Sequence, residues 1–385
     1  MDFGAMGTMT SHHGSTRLWA FVFGLAVGPQ LFGLPAGVDV VSGNAVVRPI
    51  SNGKLVIEQS SNKAILNWQS FSIAAGEQVQ FIQPTAQAIA LNRVVGNDAS
   101  RIYGSLTANG RVFLINAHGV FFAPSASVDT GAFVASAHSI RDEDFLAGRY
   151  VFTGPGLGEV SNEGTITAGP NGYVLLSGSR VSNEGFIRAD RGSVGLASGA
   201  RVEIDTDGDG LVRFSVDGAA LGAAIRNSGA IVADGGRVSL LAVAAQDALG
   251  TVVNQSGLVQ ANSISERDGV ITLSGGPAGV VSVSGAISAA GTDPGETGGT
   301  IRVLGDRVAV LEGARLDATG DRGGGNILIG GNLRGEGPEQ NASRTFVAAN
   351  AVLDASALDN GDAGSIVVWS NHGTRFFGTA NARGG

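Results

Sequence analysis

The sequence contains no cysteine, and this absence excludes several kinds of chemistry at once. Disulfides cannot hold the fold together, and a thiol cannot act as a nucleophile. Small secreted domains usually depend on such cross-links, but a chain of 385 residues can bury a core large enough to fold without them. The fold must therefore be held together by packing and hydrogen bonding.

Charged residues are also scarce, at 15% of the chain, and they give a formal net charge of −8. Lysine and arginine form no cluster in the sequence, so we do not expect nucleic acid as a partner. The five histidines include no pair with the spacing of metal ligands on a recognisable element. We therefore predict no cofactor and no histidine-based metal centre.

Long apolar runs are absent apart from residues 18–34, which follow Arg17 directly. Glycine, proline and glutamine interrupt this run, so it suits a membrane-spanning helix poorly. A basic residue followed by a short apolar stretch is typical of a secretory signal. We predict a signal peptide over residues 1–36, with a membrane anchor or buried amino-terminal structure as the alternatives.

Glycine, in contrast, is abundant, with 61 residues, which is about twice its usual share. Two short phrases alternate through residues 151–385, G-x-[IV]-x-A and G-x-[VI]-x-[LV]. In each phrase the two aliphatic residues are two positions apart, so in a strand they point to the same side. The first phrase begins at Gly164, Gly185, Gly229, Gly257 and Gly285, and more loosely at Gly313. The second places its aliphatic pairs at Val174/Leu176, Val194/Leu196, Val238/Leu240, Ile271/Leu273, Ile301/Val303, Ile327/Ile329 and Ile366/Val368.

The spacing of the first phrase predicts the architecture. Its leading glycines fall at positions 164, 185, 229, 257, 285 and 313, so the gaps are 21, 44, 28, 28 and 28 residues. A fixed period with two short strands, glycine-rich turns and no helical stretch is typical of a β-solenoid. We therefore predict an all-β coil in which Ile187, Ile231 and Val259 point into one core. The gap of 44 is interpreted as two short coils.

Five further phrases stand out between Ile57 and Ser136. They are EQSSNKAILNWQSF (Glu58–Phe71), VQFIQP (Val79–Pro84), AIALNRVVG (Ala88–Gly96), SRIYGSLTANGRVFLIN (Ser100–Asn116) and GVFFAPSASVDTGAFVAS (Gly119–Ser136). The segment that they form resembles the amino-terminal secretion domain of filamentous-haemagglutinin-type exoproteins, which bacteria export by two-partner secretion.

The resemblance implies a right-handed parallel β-helix with amino-terminal capping strands, which we place within residues 38–53. Trp68 and Phe71 are bulky enough to fill the end of such a core, and we predict that both are core aromatics, with stacking against a sugar as the alternative. Residues 37–150 would form the two-partner secretion or haemagglutination activity domain. Residues 151–385 would form the β-helix repeat region, which we expect to be truncated from a longer exoprotein.

The resemblance also implies a route and a partner. A dedicated outer-membrane transporter would export the chain through the periplasm to the cell surface or the medium. There it would act in adhesion or haemagglutination, with host or bacterial surface glycans as further partners.

Candidate residues for recognition by the transporter lie in two places. Asn92 and Arg93 are adjacent in a predicted strand, and for Asn92 the competing interpretation is a buried amide that satisfies a turn. Asn116, His118 and Gly119 lie in a tight turn between two predicted strands. The family usually has Asn-Pro-Asn-Gly at this turn, and here the four residues are Asn-Ala-His-Gly.

Calcium binding and polysaccharide cleavage are two chemistries that compete with this interpretation. Asp205, Asp207 and Asp209 match the first half of a calcium loop, but Val216 occupies the twelfth position, where a bidentate acid is needed. A hairpin turn explains these Asp-Gly pairs better. Parallel β-helices also include polysaccharide-cleaving enzymes, which need converging acids.

The acids that could converge on one face of the coil are Asp190, Asp234, Asp317 and Asp354. None of them has a basic cluster or an aromatic platform beside it, so we predict that the protein is not an enzyme. The alternatives that remain are a polysaccharide-degrading β-helix enzyme and an amino-terminal carrier of a larger toxin or haem-binding exoprotein.

Overall fold

The structure is a computed structural model that describes residues 33–50, 53–154, 157–206, 211–245, 250–265 and 267–385. Most of the predicted signal peptide lies outside the described residues, as do Asp207 and Asp209 of the predicted calcium loop. Within the described residues, no helix has the length and apolar character needed to cross a membrane.

Short strands joined by turns make up nearly all the regular structure of the described residues. In chain order they are β1 (Asp39–Ser42), β2 (Ala45–Ile50), β3 (Lys54–Gln59), β4 (Lys63–Trp68), β5 (Gln78–Ile82), β6 (Ile89–Val94), β7 (Ser100–Ile102), β8 (Ser105–Ala108), β9 (Arg111–Ile115), β10 (Val120–Phe122), β11 (Ser127–Thr130), β12 (Ala132–Ser136), β13 (Ser139–Ile140), β14 (Tyr150–Thr153), β15 (Glu159–Asn162), β16 (Thr165–Ala168), β17 (Tyr173–Ser177), β18 (Arg180–Asn183), β19 (Phe186–Arg188), β20 (Ser193–Ser198), β21 (Arg201–Thr206), β22 (Val212–Asp217), β23 (Ala224–Asn227), β24 (Ala230–Val232), β25 (Arg237–Ala242), β26 (Thr251–Gln255), β27 (Leu258–Gln260), β28 (Val270–Ser274), β29 (Val280–Val283), β30 (Ala286–Ser288), β31 (Thr300–Leu304), β32 (Arg307–Val310), β33 (Arg315–Asp317), β34 (Asn326–Ile329), β35 (Arg344–Val347), β36 (Val352–Asp354), β37 (Ser365–Val368), β38 (Gly373–Phe376) and β39 (Thr379–Asn381). A short helix, α1 (Asp142–Leu146), and a 3₁₀ turn (Leu333–Gly335) complete the regular elements.

Three long sheets, of twelve, ten and thirteen strands, surround one core. Consecutive coils add parallel strands to each sheet, as β16, β19, β24, β27 and β30 do in the thirteen-stranded sheet. The predicted parallel β-helix is therefore confirmed. The sequence predicted two strands per coil, and the structure has a third. The third strands were missed because strands such as β18 carry a buried asparagine where an aliphatic residue was expected.

The repeated phrases stack in register, so that like residues lie above one another. Ile187 pairs with Ile231, and Ile231 pairs with Val259, on adjacent strands. All three are fully buried, which confirms that they share one core. A Cβ added at Gly229 would clash with the carbonyl oxygen of Gly185 in the preceding coil, so this close backbone approach requires glycine there. Close stacking thus accounts for the regular spacing of the leading glycines.

The gap of 44 residues is a single coil, and its interpretation as two short coils is wrong. Phe186 on β19 pairs directly with Ala230 on β24, so no coil lies between them. The additional residues form the antiparallel hairpin of β21 and β22, which leaves the coil and returns to it. Counting residues could not distinguish an inserted hairpin from an additional coil.

That hairpin joins β13 and β14 in an antiparallel lateral sheet, ordered β13-β14-β21-β22. A second apolar cluster lies between the lateral sheet and the outer face of the twelve-stranded sheet, and it includes Phe113, Phe145, Phe152 and Tyr173. The strands beneath it, such as β12 and β17, are buried at every position. Their continuous apolar sequences are typical of strands covered on both faces.

The amino-terminal capping strands are confirmed. β1 pairs antiparallel with β4, and β2 pairs antiparallel with β3, whereas the coils that follow stack in parallel. Trp68 and Phe71 lie in the core with 1% of their surfaces exposed, and their rings pack edge to face with centroids 5.5 Å apart. Both are therefore core aromatics, as predicted.

A ladder of buried amides runs along one corner of the core. Asn162 Nδ2 donates to Asn183 Oδ1 at 2.8 Å, and Asn183 Nδ2 donates to Asn227 Oδ1 at 2.7 Å. Asn227 Nδ2 then donates to Gln255 Oε1 at 2.7 Å. None of these four side chains is exposed, so each depends on its neighbours for hydrogen bonds.

We predict that Asn183→Ala lowers the free energy of unfolding by about 2–4 kcal/mol, because two buried groups each lose a partner. Chemical denaturation monitored by circular dichroism measures this loss. Ser182→Ala is the matched control, since Ser182 is half-buried on the outer side of the same strand. An equal loss in both variants would contradict a specific contribution from the ladder.

His138 links the end of β12 to the lateral sheet. Its Nε2 lies 2.8 Å from the carbonyl oxygen of Gly199, and because a carbonyl only accepts, Nε2 carries the proton. The other ring nitrogen, Nδ1, is buried and has no hydrogen-bond partner among the described residues, and His138 is only 1% exposed. Burial lowers the pKa of His138 below its ordinary value of 6.5, despite the opposing effect of the Gly199 carbonyl.

We predict that this histidine makes the fold sensitive to acid. Below pH 6.5 the unfolded chain takes up a proton on His138 that the folded chain does not, so stability falls by at most about 1.4 kcal/mol per pH unit. Melting temperatures measured between pH 7.5 and pH 5 would show a decline that His138→Gln reduces. His118→Gln, at an exposed histidine, should leave the decline unchanged. An unaltered decline in His138→Gln would assign the acid sensitivity to other groups.

Candidate functional site

The turn between β9 and β10 is organised by the side chain of Asn116. Its Oδ1 accepts a hydrogen bond from the backbone N–H of His118 at 2.9 Å. Its Nδ2 donates to the carbonyl oxygen of Asp98 and to Ser100 Oγ, both at 3.0 Å. Asn116 is fully buried, so these bonds fix the turn to the preceding loop as well as closing it.

Gly119 ends the turn and is required by its geometry. Its φ is +102°, in the region that favours glycine, and an added Cβ would clash with the backbone of Glu159 on the next coil. Between Asn116 and Gly119, the side chains of Ala117 and His118 lie exposed at the tip. The turn therefore combines two buried structural positions with two accessible ones.

A cavity of about 290 Å³ lies beside this turn. Strands β6 and β9, the turn, the segment before β13 and the segment after β14 contribute to its walls. Among the described residues that line it, none is a carboxylate and most are apolar; the lining includes Arg93, Ile115, His118, His138 and Leu157. Leu157 is 79% exposed at the rim, so the cavity offers an apolar surface to a binding partner.

Arg93 forms part of the cavity wall and also anchors the lateral elements. Its Nη2 donates to the carbonyl oxygen of Ile140 at 2.8 Å and to Asp142 Oδ1 at 2.6 Å. Asp142 is the first residue of α1, so this ion pair ties the helix to the coil. The guanidinium charge is therefore already balanced within the domain.

Asn92, the neighbour of Arg93, points into the core and does not reach the cavity. Its Oδ1 accepts a hydrogen bond from Trp68 Nε1 at 3.0 Å, and its Nδ2 donates to the carbonyl oxygens of Ala90 and Phe113, both at 3.3 Å. It is buried as the alternative interpretation expected, but its partners are an indole and strand carbonyls rather than turn amides. Adjacent residues of one strand thus serve opposite faces.

The structure therefore brings four of the five predicted residues together around one cavity: Arg93 and His118 in its wall, and Asn116 and Gly119 in the turn that forms its rim. The sequence did not assign His138 or Leu157 to it. The signal that could have found His138 is the coil period, because His118 and His138 are 20 residues apart, the same offset that separates the paired residues Ser100 and Val120 on adjacent coils. Residues one period apart lie above one another in a solenoid.

Among the described residues, no group of three or more histidine, aspartate or glutamate side chains could hold a metal ion. Asp205 lies in the hairpin strand β21, opposite Arg213 on β22, as the hairpin alternative expected. The weaker calcium alternative stays untested, since Asp207 and Asp209 lie outside the described residues. The cavity itself offers a mostly apolar surface for binding, with the two histidines and the hydroxyl groups of Ser139 and Thr153 in its lining.

Comparison with known proteins places this geometry in a family. A family model for the TPS secretion domain, where TPS stands for two-partner secretion, matches residues 34–289. The crystal structure of the HMW1 secretion domain from Haemophilus influenzae is similar over 90% of this chain and all of that chain, with 30% identity and a TM-score of 0.75.

Two curated relatives, both heme/hemopexin-binding proteins of Haemophilus influenzae, are similar over shorter stretches. One is 34% identical over 248 residues, which are 63% of this chain and 27% of the relative. The other is 35% identical over 119 residues, which are 31% of this chain and 13% of the relative. The chain thus spans about a quarter or less of the length of these relatives.

The match covers the cap, the cavity and the lateral sheet, and it confirms the resemblance found in the sequence. Proteins of this kind cross the outer membrane and are then secreted or exposed at the cell surface, so the predicted localisation is confirmed as well. The chain belongs to the TPS secretion domain family, and it is an exoprotein of the two-partner secretion type.

Proposed function

We propose that this chain is the secretion module of its exoprotein and that a transporter in the outer membrane recognises it. The observation that carries the proposal is the family match over residues 34–289. The matched region includes the turn at Asn116–Gly119 and the adjoining cavity, where four predicted recognition residues meet.

The way the coils pair supports export of an unfolded chain that folds outside. After the cap, each strand of the three long sheets pairs only with strands of the coils directly before and after it. A coil therefore needs only its predecessor as a template, and folding can proceed from the amino terminus as the chain emerges. Folding of each new coil would oppose movement of the chain back through the transporter.

Burial divides the recognition residues into two groups. Asn92 and Asn116 are fully buried in the folded domain, so a transporter can contact them only before the domain folds. Ala117 and His118 are exposed and remain accessible afterwards. We infer that the transporter binds the segment around Asn116 while it is unfolded, and that the folded turn no longer offers this contact.

A role without catalysis is part of the proposal. Asp190 pairs with Arg188 at 2.6 Å, and Asp234 accepts two hydrogen bonds from Gln260 Nε2. The remaining two candidate acids, Asp317 and Asp354, accept hydrogen bonds from backbone N–H groups two residues further along the chain. All four thus have structural partners, which supports assigning them to turns rather than to acid–base chemistry.

For the activity outside the cell we propose adhesion, in line with the resemblance to haemagglutinin-type exoproteins. The exposed outer faces of the long sheets support it, because away from the lateral sheet they present columns of side chains to the solvent. Haem or hemopexin binding is the second candidate, and the similarity to heme/hemopexin-binding proteins favours it. Most of the length of those relatives lies beyond the matched stretch, so this activity need not reside in the matched coils.

Export is tested by expressing the tagged chain with and without its transporter and measuring protein in the medium and the periplasm. We predict that Asn116→Ala and Gly119→Ala each reduce export several-fold, because both change the segment that the transporter binds. The double variant Ala117→Pro/His118→Asn, which restores the turn usual in the family, should be exported at least as well as the parent chain.

Asn183→Ala is the matched control, because it removes a buried amide far from the turn. If export follows the melting temperature alone, so that Asn116→Ala and Asn183→Ala lose export in proportion to stability, the turn has no recognition role. If export proceeds equally without the transporter, the secretion proposal itself fails.

A further inference from the structure

The outer face of the ten-stranded sheet carries two depressions that differ in charge. One, of about 730 Å³, is lined by Arg180 and Arg226 and also by Glu159 and Glu184, so its charges balance. The other, of about 560 Å³, lies over β29, β32, β35 and β38, and no carboxylate of the described residues lines it. We call the second depression the arginine groove; its charged and aromatic residues are Arg307, Arg344, Phe346, His372 and Arg375.

One wall of the arginine groove is a column of residues in register. Arg307 pairs with Arg344 on the next coil, and Arg344 pairs with Gly373 on the coil after that. Neighbouring strands are about 4.8 Å apart, so two guanidinium groups project one above the other. Gly373 has no side chain, so it adds no guanidinium group to this column.

The second column lies two residues further along the same strands. Ala309 pairs with Phe346, and Phe346 pairs with Arg375. Ala309 is small, whereas the Phe346 ring is 37% exposed and packs against Phe377 with centroids 6.0 Å apart. The columns together form a depression with an aromatic ring at its centre and guanidinium groups on either side.

The positive charge of the groove is largely uncompensated. Arg307 Nε lies 3.5 Å from Asp306 Oδ2, but within the part of the chain that the structure describes, Arg344 and Arg375 form no ion pair. This occurs in a protein whose formal net charge is −8. Like charges on adjacent coils repel one another, so the fold gains nothing from this arrangement by itself.

We propose that the arginine groove binds an acidic polysaccharide. Guanidinium groups form paired hydrogen bonds with carboxylate or sulfate oxygens, and the arginines repeat at the spacing of the coils. The apolar face of a sugar ring can pack on Phe346 between them. A linear chain lying along the β-helix axis would then meet a positive group at successive coils.

This inference gives the proposed surface activity a ligand class and a site. It rests on the proposal that the β-helix acts outside the cell, but it does not depend on how the chain is exported. Because binding is measured on purified protein, its failure would leave the export proposal standing, and a failure of export would leave the groove untouched.

The test is calorimetric titration of the purified chain, at about 0.15 M ionic strength, with three polysaccharides. Hyaluronan carries carboxylates only, chondroitin sulfate carries carboxylates and sulfates, and dextran is neutral. We expect binding to at least one acidic polymer and none to dextran. Hyaluronan binding would assign carboxylate recognition, and binding of chondroitin sulfate alone would show that the site requires sulfate.

Variants locate the site. Arg344→Gln/Arg375→Gln should weaken binding roughly tenfold or more, because two charge-assisted contacts are lost. Phe346→Ala should weaken binding several-fold, whereas Phe346→Tyr, which keeps an aromatic ring, should bind as the parent chain does. Arg180→Gln is the matched control, since it removes an outward arginine of the same sheet from the balanced depression. Melting curves show whether each variant is folded.

Three results would overturn the proposal. The first is no binding to either acidic polymer. The second is equal loss of binding in Arg180→Gln and in the double variant, which would reduce the effect to overall charge. The third is binding of double-stranded DNA as tightly as of the polysaccharide, which would show a surface that attracts any polyanion.

Discussion

In-register stacking of like residues is the constraint on which the rest of the structure depends. Each coil offers the next one a row of backbone groups and a row of aliphatic side chains, and both must align together. A slip by one residue would turn Ile231 outward and place polar neighbours in the core. Hydrogen bonding and apolar packing therefore select the same register, and this agreement lets short strands build a large structure without disulfides.

Glycine makes this alignment possible at the corners. At positions such as Gly229 the backbone of one coil approaches that of the preceding coil too closely for a side chain. A residue that usually weakens strands thus becomes a requirement of the stack. The same rule applies at Gly119, where a positive φ and the backbone of the next coil leave no room for a Cβ.

The sequence predicted the core well because the core is periodic. Ile187, Ile231 and Val259 followed from spacing alone, and the family followed from phrases between Ile57 and Ser136. The lateral sheet was missed, since its strands break the period and the hairpin at 201–217 looks like additional coil length. The third strand of each coil was missed because Asn183 and its equivalents are polar yet buried, and only a contact with the next coil explains their position.

The candidate site was likewise predicted only in part. The turn at Asn116–Gly119 was predictable from local residue types, but its cavity is built from segments up to about 60 residues apart, including Arg93 and Leu157. Local patterns identify a turn, whereas the partners across a cavity depend on which coils lie next to one another. The arginine groove was equally hidden, because Arg307, Arg344 and Arg375 form no cluster in the sequence and meet only when three coils are stacked.

The amide ladder ends at Gln255, and Val283 occupies the equivalent place on the next coil. Asn183 and Asn227 each accept a hydrogen bond from one neighbouring amide and donate one to the next, so an aliphatic residue at either position would leave a donor and an acceptor unmatched in the interior. From Val283 to Val310 and Val347 the same corner is aliphatic. The corner thus changes from a column in which every coil must supply an amide to one in which the side chains need only fill space.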